Sequence, residues 1–358
     1  MSLLGACQRG DTLAAVALIE SGGNVHEKDA LGGTPLYYAC QGGHTNTAIV
    51  LIERGGNVHE KDANGETPLH YICRTGHTAI AVALIERGAS VNEKNPIWET
   101  PLHLACEYCH TTTALALMER GANMNEKSHL GNTPLHSACE YGHTVAAVAL
   151  IERGANVNGK NLIGTVPLHL ASAHGHTSTA VALIERGANV HEKNQDWWTP
   201  LHSATLRGRS ATAIALIENG AVGVNNKNQI GRTPSYFACC YCTADVILLM
   251  IQKGAILTAE DLQLFRNRSR VTEQQARAVE SAYKREDNWR RRAHYAMFLS
   301  SIRDLVDVGH GPASSSATAA GGGGMGRRTR AVMQATLMRS VDKVLCRTNT
   351  QRLIGSFL

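Results

Sequence analysis

The sequence predicts an all-α repeat solenoid, in which short helix pairs joined by hairpins stack on one another, followed by a helical C-terminal region. A 33-residue period is the first observation, set by seven prolines at Pro35, Pro68, Pro101, Pro134, Pro167, Pro200 and, after one 34-residue step, Pro234. The segment Leu-Ile-Glu-Arg-Gly-Ala, at 84–89 and in variants elsewhere, keeps step with them. Aromatic residues make up only 5% of the 358-residue chain, so the core has to consist of many small aliphatic contacts. A period of this length is the signature of repeats that bury their apolar faces only against their neighbours.

Each unit carries signals for two helices and a turn. In Thr-Pro-Leu-His at 67–70, the threonine is a good N-cap and the proline takes the first helical position. A second helix, predicted over 77–87, has apolar residues at helical spacing and ends at Gly88. The polar link between units turns at a glycine such as Gly65.

The period divides the chain into successive segments. We expect an N-terminal capping half repeat at 1–28, then full repeats at 29–61, 62–94, 95–127, 128–160, 161–193, 194–227 and 228–260. A helical extension is expected at 261–310, a Gly/Ser/Ala linker at 311–326, and a basic amphipathic segment at 327–358.

The spacing of 33 and the pattern Thr-Pro-Leu-His-x-Ala-x-x-x-Gly-His resemble the ankyrin repeat family over about residues 1–260. The resemblance implies a stack of helix pairs with projecting β-hairpins and a concave recognition surface. It also implies a protein partner, and it places variable recognition residues at the hairpin tips and near the end of the first helix.

Two helices are predicted in the extension. Thr272 and Gln275 form a capping box that begins the first of them. The second is predicted to begin near Asp287 or Asn288 and to end at Gly309. Its apolar stripe, which includes Trp289 and Met297, is expected to pack on the last repeat.

Cys-Glu-Tyr-Cys-His at 106–110 has the spacing of a c-type haem attachment site. Aligned on the period, its first cysteine belongs to a series of small helix residues, Cys7, Cys40, Cys73, Cys106 and Cys139, and only Cys109 is new. We therefore expect buried free thiols and neither a cofactor nor a metal. With no apolar leader at the N-terminus and no apolar run longer than 246–251, we expect a reduced, cytoplasmic compartment, with the nucleus as the alternative.

The charge is uneven, because residues 1–258 carry 18 Lys and Arg against 21 Asp and Glu, whereas residues 259–358 carry 17 against 9. Phosphate-loop, zinc-protease, serine-hydrolase and kinase motifs are missing, so we expect no enzyme and no small-molecule substrate. The leading hypothesis is a monomeric protein-interaction module or scaffold, with no membrane partner. A ubiquitin-ligase adaptor acting through 327–358 is the alternative, and weak nucleic-acid or polyanion binding by the basic tail is a second one.

Positions that are constant between copies are those that stacking requires, and positions that vary are free to recognise a partner. The constant histidines of Thr-Pro-Leu-His are predicted to hydrogen-bond neighbouring turns, at His70, His103, His136, His169 and His202. The predicted partner-binding residues are Trp98, Glu107, Tyr108, Leu130, Glu140, Tyr141, Ile163, His174, Trp197, Trp198, Arg207 and Tyr241. Three of the four tryptophans are among them, and aromatic residues on an exposed edge are typical binding anchors.

Overall fold

The computed structural model describes residues 2–30, 32–221 and 223–307, which form eighteen helices and no strand. The first sixteen helices form eight consecutive pairs. These are α1 (Leu3–Arg9) with α2 (Thr12–Glu20), α3 (Pro35–Gln41) with α4 (Thr45–Glu53), α5 (Pro68–Thr75) with α6 (Thr78–Glu86), α7 (Pro101–Glu107) with α8 (Thr111–Glu119), α9 (Pro134–Glu140) with α10 (Thr144–Glu152), α11 (Pro167–His174) with α12 (Thr177–Glu185), α13 (Pro200–Leu206) with α14 (Ser210–Glu218), and α15 (Pro234–Tyr241) with α16 (Ala244–Gln252). Two single helices follow, α17 (Ala259–Arg266) and α18 (Glu273–Asp307).

The helix pairs stack in register. Each first helix packs on its own second helix and on the next first helix, and the second helices pack on one another in the same way. The core is built from leucine, alanine and cysteine at repeated positions, for example Leu102, Ala105 and Cys106 in α7, all without solvent exposure. This confirms the predicted all-α solenoid, in which small contacts between neighbours replace a single large core.

The constant histidines bind the units to one another, as predicted. In α9 the N–H of Thr133 donates to Nδ1 of His136 at 3.1 Å, so the proton of this neutral ring lies on Nε2. Nε2 then donates to the carbonyl oxygen of Thr165 in the next loop at 3.1 Å. The other four histidines make the same bridge, to the carbonyl oxygens of Glu99, Asn132, Trp198 and Arg232.

Acid is expected to unfold the stack through these rings. Burial lowers the pKa of His103, His136 and His202 to about 4, and it also lowers the pKa of His70 and His169. As the pH falls below about 6.5, these histidines therefore bind protons in the unfolded chain but not yet in the folded chain. The free energy of unfolding should be constant above this pH and fall towards pH 4, by up to about 1.4 kcal/mol for each pH unit and histidine.

Urea midpoints measured at intervals from about pH 7.5 to pH 5 test this expectation, because most carboxylates stay ionised in that window. A midpoint that does not change between these values would contradict the proposed role of the buried histidines.

The hairpin loops form tight turns without the β-strands that were expected. In the loop 95–99 the N–H of Asn95 donates to the carbonyl oxygen of Glu99 at 3.0 Å, and the N–H of Trp98 donates back to Asn95 at 2.8 Å. The side-chain oxygen of Asn95 accepts from the N–H groups of Ile97 and Glu99. An asparagine-closed turn therefore uses the backbone groups that a strand pair would need.

The motif at 106–110 does not bring its residues together. Cys106 is buried in the core, where burial raises the pKa of its thiol to about 12, whereas Cys109 is exposed with a left-handed φ of 65°. Nε2 of His110 lies 3.0 Å from the carbonyl oxygen of Arg74 in the preceding unit. Within 2–30, 32–221 and 223–307, no group of three or more metal-ligating side chains is close enough to hold an ion.

The extension differs from the sequence prediction, because α18 is one helix of 35 residues with no break near Asp287 or Asn288. Two ion pairs at i,i+4 cross that point, Arg290 with Glu286 and Arg291 with Asp287, and such pairs stabilise a continuous helix. Trp289 was expected to be buried on the last repeat but is 64% exposed. Gly309 and the segments 311–326 and 327–358 lie outside the described residues.

The described residues up to Ala293 form one compact unit, and those from His294 to Asp307 belong to a second. At the end of the first unit, Phe265 of α17 is buried, and Arg268 donates to the carbonyl oxygen of Cys242. Arg290 of α18 donates to the carbonyl oxygen of Ala255 at 3.2 Å. None of the helices described here is both long and apolar enough to cross a membrane.

Candidate protein-binding surface

Exposed apolar side chains are concentrated on two neighbouring features of the stack, the hairpin tips and the ends of the first helices. The tip row consists of Ile97, Trp98, Leu130, Leu162, Ile163, Trp197 and Ile230. The helix-end row consists of Arg74, Glu107, Tyr108, Glu140, Tyr141, His174, Arg207 and Tyr241. Together they hold ten of the fifteen large exposed apolar side chains of the described residues.

Backbone hydrogen bonds link one tip to the next. The N–H of His129 donates to the carbonyl oxygen of Ile97 at 3.0 Å, and Leu162 donates to Leu130 at 3.1 Å. In the next two loops, the N–H of Gln195 donates to the carbonyl oxygen of Ile163 and that of Gln229 donates to the carbonyl oxygen of Asp196, both at 3.1 Å. The tip row is therefore a connected edge of fixed spacing and not a set of independent loops.

Two tryptophans of the tip row adopt a left-handed backbone conformation, which is unfavourable for any residue other than glycine. Trp98 has φ 63° and Trp197 has φ 62°, whereas the sister loops have glycine at this position, for example Gly131 with φ 75°. The left-handed region costs an L-residue about 1–2 kcal/mol. The indoles are 57% and 54% exposed, with Lys94 and Lys193 lying 5.7 and 5.8 Å from the ring centres.

Trp198 is placed differently from the other two. Its ring stacks on Phe237 of the next unit with centroids 5.1 Å apart, and it meets His202 edge-on at 5.7 Å. It is half-buried and its carbonyl oxygen accepts from His169, so it joins two units. Of the three tryptophans predicted to bind a partner, this one also has a clear packing role.

The helix-end row is polar as well as aromatic. Tyr108, Tyr141, His174, Arg207 and Tyr241 are exposed, and Glu107 and Glu140 are half-buried beside them. The hydroxyl of Tyr141 donates to a carboxylate oxygen of Glu107 at 3.4 Å. Burial, as the largest cause, raises the pKa of Glu107 and of Glu99 above their usual range.

Sequence reasoning did not include Ile230 among the tip residues, although it is 74% exposed. It occupies the position of Ile97, Leu130 and Ile163 in the last unit, after the single 34-residue step. The shifted register was the signal that could have found it. Thr165, at the end of another hairpin loop, is buried instead, and its carbonyl oxygen accepts from His136.

A family model described as ankyrin repeats (3 copies) matches residues 3–95, 96–161 and 168–261. The crystal structure of the human ASB11 ankyrin repeat domain is similar, with 29% sequence identity and a TM-score of 0.57. The similarity covers 61% of this chain and 97% of that one. A search of curated proteins found no matching sequence.

Proposed function

The chain belongs to the ankyrin repeat family, and from this premise we propose that it is a non-catalytic protein-interaction module that binds a partner protein on the tip row and the helix-end row. The concentration of ten of the fifteen large exposed apolar side chains in these two rows carries the proposal. An exposed patch of this kind with polar residues around it is typical of protein interaction sites.

The strained tryptophans support the same function. A residue held in an unfavourable conformation at an exposed tip lowers stability, so its presence needs a compensating role. Tryptophan is enriched among the residues that dominate binding free energies, and truncating such a residue typically costs about 2 kcal/mol or more.

The non-catalytic part of the proposal rests on where the reactive groups lie. The five constant histidines are buried and engaged in bridges between units. Cys73, Cys106 and Cys139 are buried, and burial raises the pKa of each thiol. These eight potential bases and nucleophiles are therefore held in neutral forms and in positions that suit packing.

Affinity capture from the source cells tests the proposal with four baits. They are the full chain, a chain ending at Asp307, the full chain with Trp98→Gly and Trp197→Gly, and a control with Val145→Ala. Val145 is an exposed apolar residue of α10, outside both rows.

We expect the shortened chain and the Val145 control to retain the main partner, and the tryptophan variant to lose it. If the tryptophan variant retains the partner and the shortened chain loses it, binding belongs to residues beyond 307 and the proposed surface is wrong.

A further inference from the structure

The chain provides its own example of how an arginine fits between two first helices. The guanidinium of Arg74, in α5, lies 6.0 Å from the ring centre of Tyr71 and 5.9 Å from that of Tyr108. The same group pairs with Glu66 at 2.5 Å, whose carboxylate comes from the end of the hairpin loop. This internal arginine is thus held by a loop carboxylate and by tyrosine rings, one of which belongs to the next unit.

One period further along, the loop carboxylate and the ring of the next unit recur without the arginine, whereas the buried Leu104 takes the position of Tyr71. Glu99 takes the position of Glu66, and Tyr141 takes the position of Tyr108, but Glu107 stands where Arg74 stood. Within 2–30, 32–221 and 223–307, no basic side chain lies within 4 Å of the carboxylates of Glu99, Glu107 or Glu140.

These carboxylates lie beside exposed tyrosine rings and have no ion-pair partner among the described residues. Arg74 of the preceding unit acts to lower the pKa of Glu99 and of Glu107, but its ion pair is with Glu66. Glu99 and Glu107 are half-buried, and burial is the largest cause that raises the pKa of each, although the hydrogen bond from Tyr141 partly opposes it at Glu107. Tyr108 and Tyr141 remain exposed on either side. A cation bound here would form an ion pair with a carboxylate and a cation–π contact with a tyrosine ring. Complementary charge of this kind favours the right partner and speeds its association.

We propose that the face formed by Glu99, Glu107, Glu140, Tyr108 and Tyr141 receives an arginine side chain from a basic segment of the partner protein. The inference rests on the proposed function and specifies the chemistry of its partner. Arginine fits this face better than lysine, because its planar guanidinium can stack on tyrosine and pair with two carboxylate oxygens at once. The bound arginine takes the place that Arg74 occupies in the preceding unit.

A peptide titration tests the proposal with the full chain. The probe is a short fluorescent Gly-Ser peptide carrying two arginines, and matched peptides carry lysine or uncharged citrulline instead. The variant is Glu107→Arg, which restores the arrangement of Arg74, and the control is Glu119→Arg, the same charge change at an exposed site on α8.

We expect the arginine peptide to bind the full chain more tightly than the lysine peptide, and the citrulline peptide not to bind. Glu107→Arg should weaken binding of the arginine peptide at least about tenfold, whereas Glu119→Arg should change it by no more than about twofold. Glu107→Arg should also raise the melting temperature, because its guanidinium gains the carboxylate of Glu99 and the ring of Tyr141.

No binding of the arginine peptide, equal binding of the citrulline peptide, or equal weakening by the two charge reversals would overturn the inference. A lower melting temperature for Glu107→Arg would contradict the comparison with Arg74. If the captured partner is lost with the tryptophan variant but kept with Glu107→Arg, the proposed function stands and only the arginine inference fails.

Discussion

Replacing His136 with alanine is expected to lower the free energy of unfolding by about 3 kcal/mol. The ring is fully buried and bridges Thr133 of its own unit to the carbonyl oxygen of Thr165 in the next loop. Its removal leaves a cavity and two buried backbone groups without their partner, and each such group costs about 1–3 kcal/mol. Chemical unfolding followed by circular dichroism measures the change.

His191→Ala is the matched control. His191 lies exposed in a loop between units, so its loss should change the free energy of unfolding by no more than about 0.5 kcal/mol. A loss below about 1 kcal/mol for His136→Ala would mean that the bridge contributes little to the stack, and it would remove the structural reason for the constant histidine.

The residues that the period repeats are those that the sequence could predict. The inner copies meet the same packing demands, so the residues at the positions of Leu102, Ala105, Cys106 and His103 are the same or similar in size in most units. Their burial follows from the period, the N-cap chemistry of Thr-Pro and the helical spacing. The sequence of α18 lies outside the repeats, so it has no sister copy for comparison. The helix break predicted there was wrong.

Contacts that are specific to one pair of units could not be predicted. Trp198 packs on Phe237, 39 positions away, and neither residue has an aromatic counterpart in most sister units. Likewise, only the three-dimensional site of Arg74 reveals that Glu107, one period later, has no ion-pair partner among the described residues. Variation between copies pointed to candidate positions, but side-chain geometry was needed to separate those that pack from those that are exposed.

The second large effect is expected for the double change Trp98→Gly and Trp197→Gly, which should weaken partner binding at least about 30-fold. Stability should change little. Relief of the left-handed strain stabilises each site by about 1–2 kcal/mol. The flexibility of glycine costs about 0.5–1 kcal/mol, and the lost contact of the indole with Lys94 or Lys193 costs about 0.5–1 kcal/mol more, so these effects nearly cancel.

Glycine is the informative replacement because the sister loops already have it at this position, at Gly65, Gly131, Gly164 and Gly231. The turn can therefore form as it does in the other units, and the hydrogen bonds between tips are made by backbone groups that the change leaves in place. If the indoles served mainly to pack the stack, their removal would cost about 3–5 kcal/mol each, as for other packed tryptophans.

The most direct test of the account combines both quantities on one set of proteins. Calorimetric titration of the captured partner and urea unfolding are measured for the full chain, for the double glycine variant and for Val145→Ala. We expect the double variant to lose at least about 30-fold in affinity while its free energy of unfolding stays within about 1 kcal/mol of that of the full chain. The control should change in neither quantity. Unchanged affinity together with a large loss of stability would show that Trp98 and Trp197 hold the stack together, and it would contradict the proposed binding surface.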